Sequence, residues 1–247
     1  MNNPKIYNLT EEEHQEIFDE KIKPFFLSNA LSISSPTAII FGGQPGSGKS
    51  TLLTLVNDEL IGNARAVVIA GDSFRQYHTP YKELLALGYK DAAFLTSEDI
   101  GRWVEKAIIY SGQMRYNMAI EGTMRESSGI SNLLKKLHQA HYKTDIRVLA
   151  VNDRISWQRV LLRYEIECAK SEPGRMVLPK IHADSYRGLL KTLDKIEQER
   201  LADRLTVYKA DGTLLYENEL EKGEWKIKPQ GKLTLEKERS QPGLGSV

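Results

Sequence analysis

Gly43-Gln44-Pro45-Gly46-Ser47-Gly48-Lys49-Ser50 has the residue types and spacing to hold a triphosphate, because it fits G-x-x-x-x-G-K-[ST]. Glycines let successive backbone N–H groups converge on phosphate oxygens without a side chain in the way. The N-terminus of a following helix adds positive potential. Lys49 is placed to reach the β- and γ-phosphates, and the Ser50 hydroxyl to ligate Mg²⁺. The expected nucleotide contacts run from Gly43 through Thr51. A ligand-free Gly-rich turn explains the glycines but not a lysine and a hydroxyl in register with them.

Phosphoryl transfer also needs a group that orients the acceptor and positive charge around the γ-phosphate. Asp72, in Gly71-Asp72-Ser73-Phe74-Arg75, follows an apolar run at 66–70 and so puts a carboxylate at the end of a strand. There it can take or orient the proton of an acceptor hydroxyl, or equally cap a helix. Glu121 ends the run 117–121, either as a contact to Mg²⁺-bound water or substrate or as a turn residue. Arginines stand at 154, 159, 163 and 175. Arg159 and Arg163, four apart, share a helix face, and Arg175 lies in the Pro- and Gly-containing segment 171–179, where a lid could carry it onto a phosphate. A solvated basic face has the same composition. The guanine-nucleotide switch and reader sequences D-x-x-G and N-K-x-D are absent where they would fall, at Gly122-Thr123-Met124-Arg125 and Val151-Asn152-Asp153-Arg154, which sets a GTPase aside.

The elements that must position these residues follow from hydrophobic pattern. Short apolar runs at 37–41, 66–70, 117–121, 146–151 and 205–208 read as buried strands. They alternate with helical periodicity, as at Ile100, Trp103, Val104, Ala107 and Ile108. This predicts an α/β fold: a mainly parallel sheet with helices on both faces, binding its ligand off the carboxyl ends of the strands. Thr10 with Glu13 marks the start of an N-terminal helix over 10–31, interrupted at Pro24. A helix over 50–60 should follow the phosphate loop, long helices should cover 155–170 and 180–202, and Asp211-Gly212 should turn a hairpin. One domain is expected over 1–220, with 221–247 a flexible tail.

The chain has 247 residues and a formal charge of +1, so nothing general draws it to nucleic acid or an anionic membrane. Its single cysteine, Cys168, excludes an intramolecular disulfide and a cysteine metal cluster. The first residues lack the pattern of a signal peptide, and no apolar run is long enough to span a bilayer, so a cytoplasmic location is expected.

The blocks Gly42 to Ser50, Gly71 to Arg75 with His78, and Glu121-Gly122-Thr123-Met124-Arg125 together resemble the zeta toxin family. The resemblance continues through Arg163-Tyr164-Glu165, Arg175, Pro179-Lys180 and Val207-Tyr208, covering about residues 5 to 220. It implies a P-loop kinase with a helical, arginine-bearing lid, a toxin of bacterial toxin–antitoxin systems. Such a toxin phosphorylates UDP-N-acetylglucosamine at the sugar 3′-hydroxyl, blocks peptidoglycan precursor synthesis, and is held inactive by a small helical antitoxin. It further implies that Asp72 is the catalytic base, that Lys49 and Ser50 contact nucleotide and Mg²⁺, and that Arg163 and Arg175 clamp the transferring phosphoryl group. Arg75, Glu105, Glu121, Thr123 and Arg125 fall at nucleotide-sugar contacts or brace them, although Glu105 read alone is a solvated charge. Two departures are visible: His78-Thr79-Pro80 spaces the family's His-Pro one residue wider, and the loop before Arg175 is one residue shorter. ATP with Mg²⁺ is the expected cofactor pair, and the sequence does not distinguish ATP from GTP. Two other readings fit the P-loop: a kinase of another small hydroxyl compound, such as an antibiotic or nucleoside, and a non-catalytic nucleotide-binding module. Asp72 and the arginines, which a pure binder does not need, favour transfer.

Overall fold

A computed structural model describes residues 4–28, 30–53, 66–170 and 174–241. Five strands run parallel: β1 (Thr37–Gly42), β2 (Val67–Ala70), β3 (Met118–Gly122), β4 (Lys143–Leu149) and β5 (Arg204–Tyr208). The hairpin strands β6 (Leu214–Glu221) and β7 (Glu224–Trp225) extend the sheet antiparallel, in the order β2-β3-β1-β4-β5-β6-β7 among the described residues. The pleat divides β1 between two cores. Ala38 and Ile40 join Ile69, Ile120, Trp103 and Leu189 on one face, while Ile39 and Phe41 join Leu52, Leu53 and Leu149 on the other. Both faces are therefore covered, as near-continuous apolar strands require.

The helices are α1 (Glu11–Ile17), α2 (Lys23–Phe26), α3 (Gly71–Phe74), α4 (Thr79–Ala86), α5 (Ala92–Leu95), α6 (Ser97–Gln113), α7 (Ser127–Gln139), α8 (Asp153–Ala169), α9 (Pro179–Glu199) and α10 (Gly231–Ser240). Residues 49–53 begin the helix after the phosphate loop, and its expected continuation to 60 lies outside the described residues. No helix among those described is long and apolar enough to cross a membrane.

Thr10 and Glu13 form the reciprocal capping box that opens α1. The helical path then widens into a π-helical segment, Phe18–Ile22, and ends at Phe26 rather than 31. Pro24 supplies the reason, because its ring crowds the carbonyl four residues back and the wider turn relieves the clash. This N-terminal unit packs on α6, where the Trp103 Nε1–H donates to His14 O at 2.9 Å and the two rings stack at 4.9 Å.

Two further expectations are corrected. β4 starts at Lys143, not 146, because the Asp145 carboxylate is buried against Arg147 and accepts from its Nε at 3.0 Å, so a polar pair occupies strand positions that apolarity alone does not mark. The chain beyond 221 is no flexible tail where it is described. It forms β7 and α10, with Leu235 fully buried and Gly231 N donating to Glu197 Oε1 at 2.8 Å. α10 has few apolar residues and no wide stripe; it is anchored by single residues, which periodicity cannot detect.

Candidate active site

The strand order brings the chemistry together. β1 lies between β3 and β4, and β3 between β2 and β1, so the loop after β1, Asp72 after β2 and Glu121 at the end of β3 become neighbours. Ala70 and Phe41 both lie in register with Glu121. β4 leads into α8, which carries Arg159 and Arg163. A cavity of about 520 Å³ opens over these strand ends, a size suited to a small-molecule substrate.

Gly46 and Gly48 take φ values of +77° and +95°, a region costly for any side chain, so the phosphate loop requires glycine there. Lys49 is buried, and its Nζ donates to Gly43 O at 2.8 Å and Gln44 O at 3.3 Å and lies 3.9 Å from Glu121. Burial holds its pKa below the usual lysine value, against the pull of Glu121 and Asp72 and with the push of Arg163 and Arg175. An anion bound beside it would relieve that cost.

Asp72 sits between two guanidiniums, accepting from Arg75 Nε at 3.1 Å and ion-paired with an Arg175 terminal nitrogen at 2.6 Å. It lies in the first turn of α3, whose cap residue is Ala70, so helix capping is not its role. The side chain is 58% exposed at its open side, yet the surrounding cleft still desolvates it. That burial raises its pKa; Arg175, Arg75 and Arg163 outweigh it and leave the carboxyl below the usual aspartate value. Glu121 responds oppositely: burial lifts its pKa above the ordinary glutamate value despite Lys49. Glu167 organises the arginines, accepting from Arg175 N at 2.6 Å and lying 3.9 Å from Arg163 Nε. Arg163 Nε is buried and makes no hydrogen bond among the described residues.

Of the expected site residues, Pro45, Gly46, Gly48, Lys49, Ser50, Asp72, Arg75, Glu121, Thr123, Arg125, Arg163 and Arg175 line the cavity. Gly43, Gln44, Ser47 and Thr51 do not. Gln44 and Ser47 are fully buried and shape the loop from beneath, Gly43 gives its carbonyl to Lys49, and Thr51 faces outward from the helix. Glu105 is also corrected. Val104 faces the cavity, but one residue further round α6 Glu105 turns into a neighbouring groove and lies 3.5 Å from Lys136 of α7. Sequence reasoning missed the apolar wall of Phe94, Ile100, Met176, Leu178 and Ile181. Phe94 belongs to the four-residue helix α5, too short for a periodic signal.

Fold and site together define a kinase-like P-loop phosphotransferase, with a parallel sheet presenting a phosphate loop, a carboxylate and a set of arginines to one cavity. The family model described as Zeta toxin matches residues 27–221, and the chain belongs to the zeta toxin family. It is 29% identical over 214 residues to Toxin PezT of Streptococcus pneumoniae serotype 4, covering 83% of this chain and 84% of the relative. It is 31% identical over 212 residues to Toxin zeta of Streptococcus agalactiae, covering 85% and 73%. The solved structure of the PezAT chromosomal toxin-antitoxin system of the human pathogen Streptococcus pneumoniae matches with a TM-score of 0.78 at 26% identity, covering 94% of this chain and 88% of that one.

Proposed function

We propose that the protein is an ATP- and Mg²⁺-dependent kinase that phosphorylates the 3′-hydroxyl of UDP-N-acetylglucosamine. By this activity it acts as the toxin of a toxin–antitoxin system and blocks peptidoglycan precursor synthesis in the cytoplasm. The observation that carries this reading is the Asp72 carboxylate, standing in the same cavity as the Lys49 loop and gripped by Arg75 and Arg175. Membership of the zeta toxin family supports the substrate, and similarity to the PezAT system supports a protein antitoxin as partner.

The donor set suits Mg²⁺, which keeps waters and phosphate oxygens and needs few protein ligands. The Ser50 hydroxyl and the Glu121 carboxylate line the cavity together, and among the described residues no cluster of three or more His, Cys, Asp or Glu side chains forms a closed cage. When bound, Mg·ATP supplies the phosphoryl group and screens its charge. Asp72 orients the acceptor hydroxyl and receives its proton at a carboxylate oxygen as the new P–O bond forms and the bond to the leaving diphosphate breaks. Lys49, Arg163 and Arg175 offset the charge spread over the transferring oxygens, and the planar guanidinium forks suit those oxygens better than ammonium groups. Exchange of Asp72 for phosphoryl oxygens at Arg175 opens one carboxylate oxygen to the hydroxyl.

Purified protein incubated with ATP, Mg²⁺ and UDP-N-acetylglucosamine should yield a singly phosphorylated UDP-sugar by mass spectrometry. A panel of antibiotics and nucleosides offered in parallel should remain unmodified. Selective transfer to one of those compounds would replace the substrate, and nucleotide binding with no transfer to any acceptor would replace the enzyme by a binding module.

A further inference from the structure

Arg239 lies outside the span matched by the family, on α10, and its side chain reaches the underside of the phosphate loop. The residue is 2% exposed. One terminal nitrogen donates to Tyr186 O at 2.7 Å and the other to Gln44 Oε1 at 2.7 Å, while the group stacks 4.1 Å from the centre of the Tyr186 ring. It forms no ion pair with any described residue, and its Nε is buried without a hydrogen bond. Burial of a cation that no ion pair satisfies is costly, even with Asp153 near enough to offset part of it, and an apolar side chain of similar length would pack α10 against Tyr186 without that cost. What the arginine adds is its second arm, on a residue of the phosphate loop.

Gln44 relays that hold. Its Nε2 donates to Val151 O at 2.8 Å and Ser156 Oγ at 3.1 Å, so both ends of the amide are fixed, and its own carbonyl accepts from Lys49. Gly46, two residues on, sits so close to Ser156 that a Cβ there would lie 2.1 Å from Ser156 O. Asn152 Nδ2 closes the circuit by donating to Arg239 O at 2.9 Å. A loop held this way meets phosphate oxygens without first having to order itself.

We propose that Arg239 is a positioning residue for the phosphate loop, so that α10 forms part of the nucleotide site and sets its affinity from below. This rests on the nucleotide reading above. Although burial lowers its pKa to about 10, Arg239 stays cationic at neutral pH and adds positive potential under a site for an anion.

The test is the dissociation constant of Mg·ADP by calorimetry, well below each variant's melting temperature, followed by KM for ATP and kcat. Arg239→Met, which keeps the stack on Tyr186, should weaken Mg·ADP binding about tenfold, the size of one lost charge-assisted hydrogen bond. KM for ATP should rise with it while kcat at saturation changes much less, since the residue is remote from the reacting atoms. Gln44→Met should weaken binding comparably, and the double variant should be no worse than either single one. If Arg239→Met does not fold, Arg239→Lys decides, because an ammonium cannot reproduce the two-armed bridge; binding should weaken about threefold or more. Affinity within twofold of the unaltered protein in a folded Arg239 variant, whatever its melting temperature, would overturn the inference alone. Failure of the unaltered protein to bind Mg·ADP would overturn it together with the nucleotide reading.

Discussion

Asp72 is held at 3.1 Å by Arg75 and at 2.6 Å by Arg175, and these cations keep its carboxyl ionised at neutral pH. A carboxylate with a depressed pKa is a weak base, and the loose transition state of phosphoryl transfer asks for little more than orientation before bond formation. Asp72→Asn should therefore leave nucleotide affinity intact while turnover falls by about 10²–10⁴, read from steady-state product formation against an ADP titration. Near-normal turnover would remove Asp72 from the role. Arg163 acts on Asp72 only through its charge, without a direct ion pair, and lies 3.9 Å from Glu167. Arg163→Ala should depress kcat more than nucleotide affinity, because its interaction grows as charge develops. Equal losses in both would mark it as a ground-state contact. Both residues were legible in the sequence as candidates, yet each had an innocent reading, a helix cap or a solvated face. Side-chain partners remove those readings, and partners are a tertiary fact.

The phosphate loop is an element whose shape is dictated on two sides. Gly46 has φ +77° and faces the Ser156 carbonyl of α8, so both backbone conformation and space exclude a side chain. Gly46→Ala should lower stability by about 1–3 kcal/mol and weaken Mg·ADP binding, measured by urea unfolding and calorimetry. Unchanged binding would mean the loop has other acceptable shapes. α9 is fitted as closely to the segment after β3. Thr192 Oγ1 donates to Met124 O at 2.7 Å, and at Gly188 a Cβ would lie 2.2 Å from Arg125 O. That fit presents Thr123 and Arg125 to the cavity. The glycines of the loop were readable from the motif; Gly188 was not, since a helix glycine carries no sign of what passes beside it.

Over the whole molecule, three histidines are buried on different elements. His14 in α1, His78 before α4 and His182 in α9 all have pKa values lowered from 6.5, with burial the largest cause in each. His14 and His78 converge on Asp99: His14 Nε2 lies 3.1 Å from its carbonyl and His78 Nε2 3.1 Å from its carboxylate. The unfolded chain thus takes up protons below about pH 6.5 that the folded protein resists. The stability these groups contribute is complete above that pH and is lost as pH falls toward their lower folded values. Urea midpoints should decline from pH 7 to 5, and a flat profile would show that the buried imidazoles do not govern acid stability.

The motif 43–50, the apolar strands and the carboxylates at their ends were fixed locally, by spacing and period, so the α/β class and most of the cavity lining followed from the chain itself. Three things were decided only by tertiary contact. Gln44 belongs to the motif but is turned inward, because its amide is satisfied by Val151, Ser156 and Arg239. Glu105 is paired with Lys136, because one step round α6 separates the cavity from the next groove. α10 is anchored by single buried residues rather than by an amphipathic stripe. Local pattern records which residues prefer water and which backbone shapes are allowed. It does not record which polar atoms, distant in the chain, complete one another's hydrogen bonds once buried, and those pairings set the underside of this site.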